Sequence, residues 1–365
     1  MQAGVEADAR TDAAPAPPLF RRVFAIEGLS ILAVFAVLLV IFMITAPRTF
    51  LGYRIYMAFL ASVPPPVILA LGLTFVVIAG EMDLSFPSIV AFASYVFSAL
   101  FKFHDLTFIA MALTLVLSAG LGLINGLIIT QLGIPSMIAT LATLFFWGGL
   151  VTIISNGLTI AIPNIDGTAI QMIFAGRIGA FPVQSLWALA IASFLWFILN
   201  RHPFGENVLF LGDNAKVAHV VGIPVEATRL KVFTLMGFLS GLAGILLTIE
   251  TTTYFPNQGM GYLLIVVASV FIGGTSIFGG AGTIVGTVAG SLIVAIIEAG
   301  LVASGVQGFW TRFLIGVVFV ASVTLNAALE DPDRVPILRR LRMRLRGSTR
   351  LNRRSEVSTR ERETT

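Results

Sequence analysis

The amino-acid sequence predicts an all-α, polytopic membrane protein with about ten transmembrane helices, because apolar segments of spanning length recur along it. Of its 365 residues, 57% are hydrophobic and only 12% are charged, whereas a soluble domain carries roughly 25% charged residues. The mean hydropathy is +0.94. A chain with so few charges cannot cover itself with a hydrated surface, so we expect lipid to be its main solvent.

The first apolar segment, near residues 28–46, is predicted to be a retained signal anchor. It follows 27 mostly polar residues and is long enough to span a bilayer. Pro47 and Arg48 come next, in place of a small-x-small cleavage site. We therefore expect residues 1–27 to be a cytoplasmic tail without a packed core.

Nine further apolar segments follow, and two of them contain features that break helices. Three consecutive prolines, Pro64-Pro65-Pro66, remove backbone donors inside the second segment. The glycine-rich run at 273–280 is unsuited to an ordinary lipid-facing helix. We expect broken or re-entrant helices at both places. The ten helices are predicted near residues 28–46, 56–79, 86–101, 106–130, 136–155, 184–200, 232–250, 262–278, 283–303 and 309–328.

The sequence also contains a weak internal echo. Ile78-Ala79-Gly80 leads into Asp83-Leu84-Ser85, and Ile272-Gly273-Gly274 leads into the glycine-rich run. Transporters are often built from two related halves that contain broken helices. Short apolar matches also arise by chance, so the sequence leaves open whether this echo is a true internal repeat or a coincidence.

The basic residues predict the orientation of the helices. With ten crossings and an inner N-terminus, eighteen of the 23 Lys and Arg residues fall on the inner side and five on the outer side. This is the direction of the positive-inside rule, so both termini are expected in the cytoplasm. The tail at 329–365 holds eleven arginines, which membrane orientation explains without a nucleic-acid partner. The transmembrane domain is predicted at 28–328.

The sequence also excludes several kinds of catalytic site. It contains no cysteine, which removes disulfides, thiolate catalysis and cysteine zinc sites. Its histidines at 104, 202 and 219 lack metal-ligand spacing. No G-x-x-x-x-G-K-[ST] sequence occurs, so the chain is not expected to hydrolyse ATP. We predict no catalytic residue, no metal and no cofactor.

The loop at 201–231 is the long charged loop within the apolar part of the chain. Asp213 or Asn214 can cap a helix that continues to about residue 221, Gly222 suits the position after its end, and Pro224 stops it. So short a helix is unstable alone, which indicates either a docking element or a simple connector.

Several passages, in order, resemble the ribose-type permeases of ABC importers for simple sugars, which are related to the branched-chain amino acid permeases. The resemblance extends over about residues 60–327. The matching passages are the G-x-x-D-L-S element at 80–85, the I-P-x-x-I-A-T-L run at 134–141, the Gly, Asn, Ala and Gly-Ile of the coupling loop at 212, 214, 218 and 222–223, the Ser-Gly-Leu-Ala-Gly at 240–244, and the I-G-G-T-S-x-F-G-G signature at 272–280.

The resemblance implies a permease that carries a monosaccharide or polyol into the cytoplasm by alternating access, in a bacterial inner (plasma) membrane. The implied partners are an ABC-type ATPase subunit, a periplasmic solute-binding protein and a second permease subunit that forms a homodimer. The short helix would be the coupling helix, seated in the ATPase. This role is carried onto Gly212, Asn214, Ala215, Ala218, Gly222 and Ile223. Departures from the family pattern at 86–88 and 263–268 leave the identity of the sugar open.

A sugar path needs hydrogen-bonding groups and aromatic faces within the apolar segments. The candidate path residues are Asp83, Ser85, Asn125, Thr140, Phe146 and Asn156. Asp83 can equally cap the helix that begins near Ser85. Because buried carboxylates also serve ion coupling, an ion-coupled secondary transporter of a small polar solute stays open, as does an amino-acid permease.

Overall fold

The computed structural model describes residues 29–104 and 107–330 of the chain. The predicted tail at 1–27, and all but the start of the one at 329–365, lie outside these residues. The α-helices are α1 (Leu29–Thr45), α2 (Pro47–Phe50), α3 (Tyr53–Ser62), α4 (Pro64–Ile78), α5 (Phe86–His104), α6 (Phe108–Leu132), α7 (Ser136–Ile154), α8 (Ala169–Phe174), α9 (Val183–Arg201), α10 (Pro203–Asp213), α11 (Ala215–Val220), α12 (Val225–Thr251), α13 (Tyr262–Ile272), α14 (Ile284–Ala303) and α15 (Phe309–Glu330). The strands are β1 (Ile160–Ala161), β2 (Arg177–Ile178), β3 (Phe181–Pro182) and β4 (Thr253–Tyr254).

The predicted all-α class is confirmed, whereas helix length alone does not confirm the ten crossings expected. Among the described residues, seven helices are long and apolar enough to cross a membrane: α5, α6, α7, α9, α12, α14 and α15. The pair α3 and α4 would make an eighth. The apolar helices α1 and α13, of 17 and 11 residues, are shorter.

Both predicted breaks occur, for the reasons expected. The axis bends by 49° between α3 and α4, and the three prolines fill the first turn of α4, where backbone N–H groups have no helical partner anyway. The second break follows α13 and occupies residues 273–283. Another non-helical segment, residues 79–85, separates α4 from α5; we call it the extended segment.

The two halves of the internal echo share a backbone feature. Gly80 and Gly274 each lie two residues beyond the end of an apolar helix, with φ of +77° and +82°. A positive φ at this position turns the chain out of a helix and favours glycine. The echo thus marks two helix ends of the same kind.

The core is built around α12, which packs against α4, α5 and α6. Small residues bring α6 and α12 into backbone contact. A Cβ atom added at Gly122 would overlap the carbonyl oxygen of Phe233, and one at Gly237 would overlap that of Ser118. Such contacts let helices pack closely where lipid supplies no hydrophobic force between them.

Helix α12 also defines the two ends of the bundle. Its 27 residues span about 40 Å at 1.5 Å per residue. It starts beside α10 and α11, which we call the linker end, and finishes at β4, which we call the strand end. There β4 pairs antiparallel with β1, and the Tyr254 ring lies fully buried beside Tyr95. Burial raises the pKa of the Tyr254 phenol, so this ring stays neutral.

Candidate functional site

The linker end carries the short helix predicted for coupling, and a side-chain cap starts it. Asn214 is extended, and its Oδ1 accepts hydrogen bonds from the backbone N–H groups of Lys216 (3.1 Å) and Val217 (3.2 Å). These bonds satisfy donors that a helix leaves free at its start. Asp213, the other candidate for the cap, instead ends α10, a helix over residues that were predicted to be loop.

The helix ends as predicted, at Gly222. This residue has a φ of +88°, and its N–H donates to the His219 carbonyl at 3.1 Å. The next N–H, of Ile223, donates to the Ala218 carbonyl at 3.0 Å. This is the Schellman arrangement, which satisfies the last carbonyls of a helix. A helix of 6 residues is thus delimited at both ends by its own sequence.

The exposed face of α11 is formed by valines, which were not among the residues predicted for coupling. Val217, Val220 and Val221 are 55%, 85% and 64% exposed, and their spacing of i, i+3 and i+4 places them on one face. Ala218 is only 1% exposed and packs into this chain. The valine spacing was visible in the sequence; the direction in which it faces was not. We call these three residues the valine face.

Gly212, another residue assigned to coupling, lies inside a junction of three chain segments. A Cβ atom added there would overlap the Ile78 carbonyl oxygen and lie 2.5 Å from the Gly280 nitrogen. The Gly280 N–H donates to the same Ile78 carbonyl at 2.8 Å. Gly80 and Gly279 also pack against Gly212 at this point. This glycine junction joins the end of α10 to the segments that follow α4 and α13.

An ion pair adds a second link between the linker end and the extended segment. The Arg229 Nε lies 2.7 Å from the Glu81 Oε1, and both side chains are largely buried. Arg229 belongs to the first turns of α12, shortly after α11, while Glu81 follows the junction glycine Gly80. A movement of the start of α12 would therefore act on the extended segment directly.

Three of the predicted path residues form one buried polar network. Asp83 Oδ1 accepts hydrogen bonds from the Ser85 backbone N–H (2.7 Å) and hydroxyl (2.6 Å). Asn125 Nδ2 donates to the Ser85 Oγ at 2.6 Å, and Trp147 Nε1 lies 3.5 Å from the Asn125 Oδ1. The network joins the extended segment to α6 and α7. Asp83 also lies just before the start of α5, the helix that it was predicted to cap.

Thr140, the fourth path residue, binds the extended segment to α7 together with Ser136 of the same helix. The Leu84 backbone N–H donates to the Thr140 Oγ1 at 3.1 Å, and the Met82 backbone N–H donates to the Ser136 Oγ at 3.1 Å. Buried backbone groups outside regular structure need such partners. The segment is therefore held by side chains in place of a helix or sheet.

The other two path residues lie apart from this network. Phe146 is 60% exposed on the outer surface of α7 and packs edge-on against Trp147. Asn156 follows the end of α7 toward the strand end, with a φ of 52°. The structure thus brings together four of the six residues. Their role in translocation stays a prediction.

Replacing Asn125 by alanine should destabilise the folded protein by about 1–3 kcal/mol, because the buried Ser85 hydroxyl loses the amide that donates to it and the Trp147 indole loses its acceptor. The measurement is thermal unfolding of the purified protein in detergent. Asn200→Ala is the matched control, since the Asn200 side chain is exposed and bonds only within α9. Equal melting temperatures for the two variants would contradict a structural role for the network.

A cavity of about 1090 Å³ opens at the strand end between α4, α13, α14 and α15. One wall is the loop between β4 and α13, and another is the face of α14 that carries residues 291, 295 and 298. None of the six predicted path residues lines it. Its polar and aromatic lining residues are Ser62, Phe255, Asn257, Gln258, Tyr262, Ser291, Glu298, Thr311 and Arg312.

Comparison with known proteins identifies one family over most of the membrane part. Residues 55–323 match the family described as the branched-chain amino acid transport system / permease component. This range includes the linker end, the extended segment and the cavity. No solved structure matches the chain.

Curated relatives are similar over most of their own length. The ribose import permease protein of Bacillus subtilis is 33% identical over 259 residues, which cover 71% of this chain and 80% of that protein. An inner membrane ABC transporter permease protein of Escherichia coli is 33% identical over 268 residues, 72% and 80% of the two chains. The D-allose transport system permease protein of Escherichia coli is 31% identical over 296 residues, 80% and 89%.

Proposed function

Because the chain belongs to the branched-chain amino acid transport system permease family, we propose that it is the membrane-spanning subunit of an ATP-binding cassette importer that carries a monosaccharide or polyol into the cytoplasm. It is a multi-pass protein of the inner membrane. Relatives named for ribose and allose support a sugar as the solute. ATP hydrolysis belongs to a separate subunit on this proposal.

The valine face is the observation that carries the proposal. It presents three exposed apolar side chains on a helix of 6 residues that its own sequence starts and stops. An exposed apolar cluster of this kind marks an interaction surface. The ATPase subunit is its proposed partner. Among the residues that the resemblance assigned to coupling, Asn214, Ala215, Gly222 and Ile223 build the helix that presents this face.

The glycine junction and the Glu81–Arg229 pair would transmit the movement. Both connect the linker end to the extended segment by direct contact. Rigid-body displacement of such packed elements is how domain movements open and close binding sites. The polar network at Asp83, Ser85 and Asn125 would then shift with the extended segment.

The topology that suits this function has about ten crossings and both termini in the cytoplasm. The linker end would face the cytoplasm and the strand end the periplasm. The domain would span residues 28–328, flanked by cytoplasmic tails at 1–27 and 329–365. The excess of Lys and Arg on the linker side supports this orientation.

A periplasmic solute-binding protein and a second copy of the chain complete the proposed assembly. The binding protein would deliver the sugar at the strand end. The six residues assigned to the path, Asp83, Ser85, Asn125, Thr140, Phe146 and Asn156, remain proposed contacts of the permeating solute.

Reconstitution tests the energy source. We expect proteoliposomes that contain this chain and its ATPase subunit, supplied with the binding protein, to take up labelled D-ribose or D-allose only when ATP is present on the ATPase side. Ionophores that collapse proton and sodium gradients should leave the uptake unchanged. Uptake driven by such a gradient in liposomes that hold this chain alone would contradict the proposal and favour a secondary transporter. Uptake of L-leucine in place of the sugars would favour an amino-acid permease.

A further inference from the structure

We propose that Arg48 and Arg54 form a binding site for the phosphodiester of an anionic phospholipid, in a pocket where α2 meets α3. The inference goes beyond the proposed function, because it requires only that the chain lies in a membrane. Its support is a preformed pocket, two guanidinium groups without a carboxylate partner, and the apolar surface beside them.

The pocket is shallow, with a volume of about 410 Å³, and its frame is fixed by the packing of α1, α2 and α3. The Tyr56 hydroxyl donates to the Phe50 carbonyl oxygen at 2.7 Å and so ties α3 to α2. Phe50 is fully buried, stacks on Phe42 of α1 and contacts Phe59 of α3. The turn between α2 and α3 therefore places both arginines along one pocket, although they are six positions apart in the sequence.

The lining of the pocket is positively charged. Arg48 and Arg54 contribute two guanidinium groups, and the lining includes no Asp or Glu. Neither arginine forms an ion pair within the described part of the chain. In the sequence, no Asp or Glu occurs between Glu27 and Glu81. Two unpaired guanidinium groups suit a phosphodiester, whose oxygens accept bidentate hydrogen bonds from arginine.

The surface next to the pocket is apolar, which favours a lipid over a dissolved anion. Ile44 at the end of α1 and Leu51 after α2 are 74% and 71% exposed, and Tyr53 is exposed as well. In a membrane-spanning chain such side chains face acyl chains, and tyrosine is typical of the boundary between acyl chains and headgroups. Arginines beside this boundary lie at the depth of the lipid phosphates. A phospholipid would satisfy both environments, with its phosphate at the arginines and its acyl chains along α1.

The pocket lies at the strand end, because α1 and α14 finish side by side. The Ser304 hydroxyl, just past α14, donates to the Thr45 hydroxyl at 3.4 Å. On the proposed topology this is the outer side, which holds only five of the 23 Lys and Arg residues. Two of those five line this one pocket, and membrane orientation does not explain cations on the outer side. Two positive charges exceed the single negative charge of a phosphodiester, so a lipid of net negative charge is favoured over a zwitterionic one.

Native mass spectrometry of the full-length chain, purified in lipid-free nonionic detergent, tests the site. The probes are dioleoyl phosphatidylglycerol and its zwitterionic counterpart dioleoyl phosphatidylcholine. We expect the first phosphatidylglycerol to bind the double variant Arg48→Gln/Arg54→Gln about tenfold more weakly than the unaltered chain, because charge-assisted hydrogen bonds to the phosphate are lost. Each single replacement should give an intermediate loss, and phosphatidylcholine should bind the unaltered chain about tenfold more weakly than phosphatidylglycerol does.

The matched control is Lys102→Gln/Arg177→Gln, which removes the same charge from exposed positions that do not line the pocket. This variant should bind phosphatidylglycerol as the unaltered chain does. Without lipid, both double variants should melt at the temperature of the unaltered chain. Phosphatidylglycerol should raise the melting temperature of the control but not that of Arg48→Gln/Arg54→Gln, since a ligand stabilises only the folded state that binds it.

Equal weakening in both double variants would overturn the site in favour of unspecific attraction, and equal affinity for phosphatidylcholine would overturn the lipid class. Competition by glycerophosphoglycerol, which lacks acyl chains, would show that the pocket binds a dissolved phosphodiester. If Arg48→Gln/Arg54→Gln retains the lipid but loses the solute-binding protein, the arginines serve that protein and the proposal is overturned. The lipid measurements use this chain without its ATPase, so their failure would leave the proposed function untouched.

Discussion

Val220→Asp should abolish recovery of the ATPase subunit with this chain. Val220 is 85% exposed, the most exposed residue of the valine face. An apolar interface that covers it would bury an unpaired carboxylate, which costs several kcal/mol. Since every 1.4 kcal/mol changes a dissociation constant tenfold, we expect affinity for the ATPase to fall by about 100-fold or more. The measurement is co-purification of the two subunits, followed by titration of the ATPase onto the immobilised permease.

The matched control is His219→Asp, which places the same carboxylate on the same helix. His219 is exposed, and its position in the helical repeat points away from the valine face. We expect this variant to retain the ATPase. If Val220→Asp binds the ATPase subunit as tightly as the unaltered chain does, the valine face is not the docking surface. Loss of association in both variants would indicate that α11 tolerates no added charge, and it would contradict docking by one face.

Gly212→Ala should destabilise the folded protein by about 3 kcal/mol or more, because overpacking against backbone cannot be relieved by a side-chain rotation. The added Cβ atom would overlap the Ile78 carbonyl oxygen, within the junction that Gly280 closes by a hydrogen bond. We expect a much smaller monodisperse fraction after detergent extraction and a lower melting temperature. A bulky residue at the buried Ala218 should act in the same way, through this chain's own packing.

Gly120→Ala is the control for glycine replacement in general. Gly120 lies within α6, and a Cβ atom there would meet no described atom within 4 Å beyond its chain neighbours and the backbone of its own helix. Alanine is the better helix former, so this variant should match or slightly exceed the stability of the unaltered protein. Wild-type stability of Gly212→Ala would mean that the glycine junction can separate at little cost, and its proposed transmitting role would be lost.

Helix ends and bends could be predicted wherever capping residues, glycines or prolines at that point in the sequence cause them. The cap at Asn214 and the positive φ at Gly222 follow from the chemistry of those two residues. The bend before α4 follows in the same way from its prolines. Such features depend on a few consecutive residues, so no tertiary contact is needed to infer them.

The number of crossings was harder to predict, because helix length depends on where each helix stops. The sequence predicts a helix near 262–278 that breaks within its glycine-rich run, and α13 ends at Ile272, where the glycines after it enter the junction. Helix α10 also differs from the prediction, because it occupies residues that read as a polar loop. The end of α13 depends on contacts with segments that are distant in the sequence, whereas α10 starts on local signals that the loop prediction overlooked: Pro203 at its first position and a His202 side chain that accepts the Phe204 N–H.

By itself, the sequence determined the all-helical membrane class, the family motifs, the two breaks and the short capped helix of the linker. Hydropathy, prolines, glycines and caps act over a few residues, and the sequence displays them directly. Only the tertiary structure decided which way each residue faces. In the structure, Ala218 is buried and the three valines are exposed, Gly212 contacts Gly280, and Glu298 and Arg312 line one cavity. These arrangements depend on how helices far apart in the chain pack against one another, which no local pattern encodes.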